Sequence, residues 1–302
     1  RSSDLIFVMI ISHLIGGLGN QMFQYAAGRA LSLHINKRLI VDVQDFNQYK
    51  LHNGYELERT FNINNKASLH QLESVLGKWR SNTYIRKKIS TKKSLSFLTG
   101  SKMIVEPQTS YWNNLFDVND NAYLVGYWQT EKYFKSIENV IRSDFTFTSP
   151  ISKINFEWTT LIKHSNSVSI HIRRGDIASN PEALAFHGLC PLEYYVRAIS
   201  YMQKNIENLT FYVFSDDISW AKKFLDFGSS HYHFVDNNNG KESYNDMRLM
   251  SLCKHNIIAN SSFSWWGAWL NNNNNKLVVA PERWFLLDDD TLDITPSSWL
   301  KL

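Results

Sequence analysis

The beginning of the chain alternates apolar and polar blocks in a way that predicts a β-α-β unit. Residues 9–15 are mostly apolar, as in a strand buried on both faces. A glycine-rich break follows, and residues 20–33 then place apolar side chains at helical spacing. Residues 38–43 predict the next strand. Units of this kind favour a parallel sheet, so the pattern indicates the α/β class.

The second half of the chain repeats this alternation more regularly. Strands are predicted at 167–172, 209–214, 231–235, 255–259 and 276–280, with helices at 191–205, 218–227, 243–253 and from 260 to 270. Strict alternation is typical of a doubly wound parallel sheet. Residues 44–121 give few clear strands. We expect a boundary within 145–165 and therefore two domains, 9–150 and 151–302.

Composition is that of an ordinary globular protein, with 43% hydrophobic and 20% charged residues. The two cysteines form no disulfide framework and fit a reducing compartment, and no apolar run reaches about 18 residues. We therefore expect a cytoplasmic protein, peripheral to the membrane at most. Residues 1–8 lack an initiator Met, and we expect the natural chain to begin at Met9.

The net charge of +4 is too small to indicate nucleic-acid binding, but it is unevenly distributed. Residues 66–102 hold nine Lys or Arg and one acid, a net of +8, which leaves −4 for the rest. Three interpretations are open: a solvated surface, contact with anionic lipid or a phosphorylated acceptor, and RNA binding. No RNA-binding motif accompanies the charge, which disfavours the last.

Ligands of open α/β sheets bind at the carboxyl ends of the strands, where this chain places unusual residues. The first group follows residues 9–15 and comprises Gly17, Gly19, Asn20 and Gln21. Glycines let a backbone approach a ligand closely, and a helix N-terminus offers free amides to an anion. A tight strand-to-helix turn with no ligand is the alternative.

The second group is the run His171-Ile172-Arg173-Arg174-Gly175-Asp176. Side chains of a strand alternate, so we expect one arginine to face the ligand and the other to point elsewhere. A guanidinium matches a diphosphate with two parallel hydrogen bonds, and Asp176 is placed to hold it. The alternative is a structural ion pair.

Two more groups follow later strands. The carboxylates of Asp216 and Asp217 suit the paired donor edge of guanine, although Asp before a helix is also a favoured N-cap. Hydroxyls and free backbone amides at the start of the last predicted helix suit a phosphate. The alternative is that these groups only cap the helix. The residues predicted there to bind a ligand are Asn260, Ser261, Ser262, Phe263 and Ser264.

Taken together, these segments resemble the α-1,2-fucosyltransferase family, in its bacterial O-antigen form. The resemblance rests on four runs in the same order and spacing. They are GGLGNQMFQYAAGRAL (16–31), HIRRGD (171–176), FSDDISWAKK (214–223) and NSSFSWWGAWL (260–270).

The resemblance implies a GT-B fold, with two Rossmann-like domains facing across a cleft. It implies an acceptor-side domain over 9–150 and a donor-binding domain over 151–302. The donor would be GDP-β-L-fucose and the acceptor the 2-hydroxyl of a β-galactoside, including lipid-linked glycans. Inversion would be a single displacement without a metal, and no cofactor is implied, since GDP-fucose is a substrate.

The resemblance also assigns roles to residues. Arg173 would stabilise the departing diphosphate, and Arg174 would be structural or assist. Glu182 in the run NPEALAFH resembles, with an offset of one residue, the proposed base of α-1,6 relatives. His187 is an equal candidate for the base because imidazole titrates near neutrality, and Asp176 ranks third. A reaction without a strong base is also open.

Three other functions remain open at this stage. Another fucosyltransferase with the same Arg pair, α-1,6 or protein O-linked, is the nearest. A non-catalytic sugar- or nucleotide-binding protein would use the ten Trp residues for stacking, although core packing is the commoner use of Trp. An RNA-binding protein is the third. The acidic run 288–290 is interpreted as a solvated loop.

Overall fold

A computed structural model describes residues 9–48, 52–175, 180–286 and 293–302. The chain divides into two compact units, the first ending at Thr148 and the second beginning at Ser149. Among the described residues, no helix has the length and apolar character needed to cross a bilayer. Asp176 and the acidic run 288–290 lie outside the described residues.

The first unit is built on a four-stranded parallel sheet. Its strands are β1 (Met9–His13), β2 (Arg38–Asp42), β3 (Met103–Val105) and β4 (Ala122–Val125), in the order β2-β1-β4-β3. Its helices are α1 (Leu18–His34), α2 (Leu57–Phe61), α3 (Leu69–Ser81), α4 (Thr83–Thr91) and α5 (Glu138–Asp144). Short 3-10 helices cover Gln44–Asn47, Lys93–Leu98, Asn113–Asp117, Glu131–Tyr133 and Lys135–Ile137. The predicted β-α-β opening is confirmed.

A buried polar network anchors α4 to this sheet. Arg86 donates to the Asp42 carboxylate at 2.7 Å, and the Tyr123 hydroxyl donates to the same carboxylate oxygen at 2.6 Å. All three side chains are buried, and burial together with the Asp42 charge raises the pKa of Tyr123. A buried charge is tolerated only when it is paired, so Arg86 serves the fold.

The second unit contains a six-stranded parallel sheet in the order β10-β9-β8-β5-β6-β7. Its strands are β5 (Asn166–Ile172), β6 (Leu209–Ser215), β7 (His231–Val235), β8 (His255–Ile257), β9 (Val278–Ala280) and β10 (Leu300–Lys301). Its α-helices are α6 (Lys153–Lys163), α7 (Pro181–His187), α8 (Leu192–Asn205), α9 (Ile218–Phe224), α10 (Tyr244–Leu252) and α11 (Ser262–Leu270), with a 3-10 turn at Gly240–Glu242. The predicted doubly wound sheet is confirmed, and β10 is an addition.

The core of the second unit follows from the strand period of two. Val168, Ile170 and Ile172 point to one face of β5, where Tyr195 and Met202 of α8 cover them. Burying each such aliphatic side chain contributes roughly 1.5–3 kcal/mol. Most tryptophans also serve the core, since Trp128, Trp265, Trp266, Trp269, Trp284 and Trp299 are buried.

Strand order fixes where a ligand site can form. The chain passes from β5 to β6 and β7 on one side, and then returns to β8 on the other side of β5. Such a reversal leaves a crevice outside the carboxyl ends of the two strands, here β5 and β8. In the first unit the equivalent reversal lies between β1 and β4, and the glycine run follows β1.

Candidate functional site

Three of the predicted segments meet at one edge of the second sheet. His171 is in register with Phe214, and Ile172 with Ser215, across the parallel pair β5–β6. On the other side, β5 pairs with β8 up to Ile257. The segments that follow these strand ends, 173–175, 216–217 and 258–261, therefore lie side by side at the reversal point.

Arg173 faces a carboxylate from the neighbouring strand end. Its Nε lies 3.6 Å from Oδ2 of Asp216, and the other oxygen of Asp216 accepts the Arg174 backbone amide at 2.8 Å. The 3.6 Å separation makes an ion pair and is too long for a hydrogen bond. The Arg173 side chain is 24% exposed, so its guanidinium can reach a ligand while Asp216 holds it.

Arg174 points to different surroundings, as the alternation of strand side chains predicts. Its guanidinium carbon lies 4.3 Å from the ring centroid of Trp220, and its Nε lies 3.6 Å from Asp217. Asp217 also caps α9 by accepting the Trp220 amide at 3.0 Å. The capping alternative is therefore correct for Asp217, and base recognition by either aspartate stays a prediction.

His171 is a buried, neutral imidazole. Burial and the nearby charge of Arg173 lower its pKa to about 3. Its ring packs on Phe263, with 5.7 Å between ring centroids, which joins the HIRRGD segment to the start of α11. Its Nδ1 has no hydrogen-bond partner in the described part of the chain. A buried polar atom without a partner costs about 1–3 kcal/mol, which favours a ligand contact at this position.

The N-terminus of α11 presents a second buried polar atom. Ser261 precedes the helix, and its hydroxyl has no partner among residues 9–48, 52–175, 180–286 and 293–302. Ser264 turns back to the Ser261 carbonyl at 3.3 Å, while Ser262 and Phe263 are half-buried in the first turn. First-turn amides have no intrahelical acceptors, so this helix start can bind an anion.

Asn260 uses its side-chain amide to organise the loop that ends α7. Its Nδ2 donates to the carbonyls of His187, Gly188 and Trp284 at 2.9, 3.4 and 3.2 Å. Its Oδ1 accepts from the Cys190 thiol at 3.3 Å. Gly188 has φ +67°, and an added Cβ would lie 2.7 Å from Leu286. The sequence predicts that Asn260 binds the sugar-nucleotide donor. In the structure its side chain instead holds protein groups in place.

The two candidate bases lie at opposite ends of α7. Glu182 is exposed in the first turn, where the Asn180 side chain accepts its backbone amide at 3.0 Å. His187 is half-buried between the rings of Phe186 and Phe285, at 5.0 and 5.3 Å between centroids. The Asn260 side chain donates to the backbone carbonyl of His187. This bond fixes the backbone at His187, whereas Glu182 lies in the exposed first turn.

The glycine run of the first unit forms the predicted turn between β1 and α1. Gly16 adopts φ +85°, and a Cβ there would lie 2.8 Å from Asn20.

Gln21 is buried and bridges two loops. Its side chain donates to the carbonyls of Gly16 and Gly54 and accepts the Glu56 amide. Asn20 accepts from Gln129 at 2.8 Å. Gly17 and Gly19 lie at the helix start, and their ligand role stays a prediction.

Glu106 is a titratable group that the sequence pattern did not single out. Burial raises the pKa of Glu106 to about 7, although its carboxylate accepts the amides of Tyr127 and Trp128 at 2.6 and 2.9 Å. Trp128 has φ +55°, which is rare for a side chain of its size. No motif or periodicity surrounds Glu106, so only the fold brings these groups together.

Comparison with solved structures identifies the fold of the chain. NodZ α-1,6-fucosyltransferase, solved after soaking with GDP-fucose, matches with a TM-score of 0.51 over 87% of this chain and 92% of that one, at 14% identity. At this identity the likeness concerns the fold alone. Two Rossmann-like α/β units make a GT-B fold, as predicted.

Sequence comparison then gives the family. The model of Glycosyl transferase family 11 matches residues 108–292. Alpha-1,2-colitosyltransferase of Escherichia coli is 39% identical over 97% of this chain and 99% of its own. The O-antigen biosynthesis glycosyltransferase WbnK of Escherichia coli is 32% identical over 96% and 99%. Galactoside 2-alpha-L-fucosyltransferase SEC1 of Bos taurus is 27% identical over 35% and 29%. The chain belongs to glycosyl transferase family 11 and is a glycosyltransferase, which confirms the predicted resemblance.

Proposed function

We propose that this enzyme transfers L-fucose from GDP-β-L-fucose to the 2-hydroxyl of a β-galactoside, with inversion at the anomeric carbon. The observation that carries the proposal is the Arg173–Asp216 pair beside the start of α11. Cationic and amide donors at one strand edge suit a nucleotide diphosphate. We infer the identity of the sugar and of the linkage from the four sequence runs that resemble those of α-1,2-fucosyltransferases.

In this proposal the chain's own residues stabilise the leaving group. When the glycosidic bond to the diphosphate breaks, negative charge grows on the phosphate oxygens. Arg173 faces that charge, and Asp216 keeps the guanidinium oriented. The Ser261 hydroxyl and the first-turn amides of α11 supply further donors. Donors already in place stabilise a developing charge without reorganisation. No metal or cofactor has a role in this proposal.

The acceptor hydroxyl must lose its proton as the new bond forms. Glu182 and His187 are the two candidates for the group that removes it, and both belong to α7. The backbone of His187 is fixed through Asn260. A general base must come within hydrogen-bond reach of the hydroxyl, so the fixed position of His187 favours it over the exposed Glu182.

A second donor should be tested directly because of the similarity to an alpha-1,2-colitosyltransferase. Colitose differs from fucose in lacking the 3-hydroxyl, so the same diphosphate site would serve either sugar. The acceptor class we propose is a lipid-linked O-antigen glycan ending in β-galactose. The similarity to an O-antigen biosynthesis enzyme supports this class.

The test is product analysis with purified enzyme. GDP-fucose and GDP-colitose are each incubated with a panel of β-galactosides, and the linkage of any product is read by NMR. We expect an α-1,2-linked product from GDP-fucose. The Arg173→Ala variant serves as the inactive control. An α-1,6 product, or binding of GDP-fucose with neither transfer nor hydrolysis to any acceptor, would overturn the proposal.

A further inference from the structure

The basic stretch 66–102 folds into a layer with two different sides. Helices α3 and α4 and the 3-10 helix Lys93–Leu98 pack side by side in the first unit. Their inner sides contribute Leu72, Leu76 and Ile89 to a core cluster shared with β1 and β4. The stretch is therefore an ordered part of the domain with a defined outer side.

Both arginines of this layer serve the fold. Arg86 is buried on Asp42, and Arg80 donates from its Nε to the Leu98 carbonyl at 2.6 Å. The exposed cations of the outer side are lysines, Lys78, Lys87, Lys88 and Lys92. Within the described residues, none of these four lies within 4.0 Å of a carboxylate. From residue 74 to residue 102 the sequence contains no acid at all.

Large aromatic side chains are exposed among these lysines. Trp79, Tyr84 and Phe97 are 49%, 73% and 77% exposed. The Lys88 ammonium lies 5.9 Å from the centre of the Tyr84 ring. Scattered surface aromatics need no explanation, but three of them on one lysine-rich layer indicate a binding surface.

We propose that the outer side of α3, α4 and the 3-10 helix Lys93–Leu98 binds the surface of an anionic lipid bilayer. Lysines are attracted to a diffuse negative surface potential, while Trp and Tyr prefer the boundary between head groups and acyl chains. The combination of charge and apolar side chains is typical of segments that lie in this boundary. The proposal concerns binding alone and does not depend on which sugar is transferred.

RNA is the competing occupant, and the roles of the arginines argue against it. Nucleic-acid surfaces favour Arg, whose planar guanidinium stacks on bases and binds phosphates with two hydrogen bonds. Here both arginines hold protein groups, and the outer cations are point charges on flexible stems. A planar charged bilayer requires no such geometry.

The test is co-sedimentation of the full chain with vesicles of phosphatidylcholine alone or with phosphatidylglycerol as about a third of the lipid. We expect binding to the anionic vesicles only, weakened when NaCl rises from about 50 to about 500 mM. Lys→Gln at 78, 87, 88 and 92 should weaken that binding at least about tenfold, since each lysine near the surface contributes about fivefold. Replacing Trp79, Tyr84 and Phe97 with Ser should lower the binding that persists at high salt.

A matched control removes the same charge from exposed lysines of the second unit, Lys153, Lys163, Lys204 and Lys241. This control variant should bind vesicles like the unchanged chain. Circular dichroism melting verifies that all variants fold, and transfer to a small soluble acceptor should be unchanged in each. Equal binding of the two lysine variants, binding to neutral vesicles, or binding of RNA without binding of vesicles would overturn the proposal.

Discussion

The guanidinium of Arg174 lies over the indole of Trp220, whereas its neighbour Arg173 pairs with Asp216 on a different side. The two residues are adjacent in sequence and nearly equal in exposure, at 24% for Arg173 and 22% for Arg174. Their partners distinguish them, because Trp220 and Asp217 hold Arg174 within the local packing. Arg173 lies beside Asp216 at the reversal point of the sheet, and it is the arginine we assign to the diphosphate.

Arg173→Ala should leave a folded protein with turnover lowered about 10²–10³-fold. Loss of one donor to a developing charge costs about 3–4 kcal/mol of barrier. Single-turnover kinetics with GDP-fucose would measure the change, and thermal melting would verify the fold. A folded variant with near-normal turnover would remove Arg173 from the reaction.

Arg174→Ala is the matched control for that measurement. It should lower the melting temperature more than Arg173→Ala does, because it removes a cation–π contact worth about 0.5–2 kcal/mol. Combined with Trp220→Leu, it should show a coupling free energy in a double-mutant cycle. If turnover fell as far as in Arg173→Ala, the division of roles between the arginines would be wrong.

Asp216→Asn keeps the size of the side chain and removes the charge beside Arg173. We expect turnover to fall about tenfold, because the guanidinium loses its orienting partner. The sequence also predicts that Asp216 can recognise guanine, but both of its oxygens face Arg173 or Arg174. We therefore expect the preference for GDP over inosine diphosphate, which lacks the exocyclic amine, to stay unchanged. Calorimetric titration with the two nucleotides measures it, and loss of the preference would instead support guanine recognition by Asp216.

Asn260→Ala should destabilise the second unit by about 2–4 kcal/mol. The change leaves the carbonyls of His187 and Trp284 without their donor, and each unsatisfied buried group costs about 1–3 kcal/mol. Urea unfolding measures the free energy. The control is Asn205→Ala, at an exposed asparagine with one bond to the Tyr201 carbonyl, which should stay within about 0.5 kcal/mol. Equal effects of the two changes would refute the bridging role of Asn260.

The sequence allowed the second unit to be predicted better than the first, for physical reasons. Long strands such as β5 and β6 have seven residues each and carry a clear apolar run, so the pattern locates them. Strands β3 and β4 have three and four residues and gave no such signal. Residues 44–121 were therefore the part of the chain whose secondary structure could be predicted least well.

The candidate site shows the same limit. Arginines and serines at strand ends could be located from the sequence, because the carboxyl edge of a parallel sheet is where ligands bind. The role of Asn260 could not, since its partners His187 and Gly188 are more than seventy residues away. Glu106 was missed for the same reason, as its partners Tyr127 and Trp128 follow twenty-one and twenty-two residues later.

Glu182→Gln and His187→Ala should separate the two candidate bases. If His187 removes the proton, its loss abolishes the fall in rate at acid pH, because an imidazole base works only when neutral. Glu182→Gln should then leave the shape of the pH–rate profile intact. The reverse result would assign the role to Glu182, and two unchanged profiles would reject both.

Glu106→Gln should change how stability depends on pH. With a folded-state pKa of about 7, above its ordinary value, Glu106 keeps its proton in the fold at a pH where the unfolded chain has lost it. Glu106 therefore contributes a loss of stability of about 2–4 kcal/mol as pH rises from about 4.5 to about 7, and no further loss above that range. The amide introduced by the substitution cannot ionise, so the variant should lack this contribution in urea unfolding and keep the one from Asp246, whose pKa burial also raises to about 7. Glu207→Gln, at an exposed position, should keep the wild-type pH dependence, and a Glu106→Gln curve parallel to the wild type from about pH 5 to about pH 8 would show that Glu106 titrates normally in the fold.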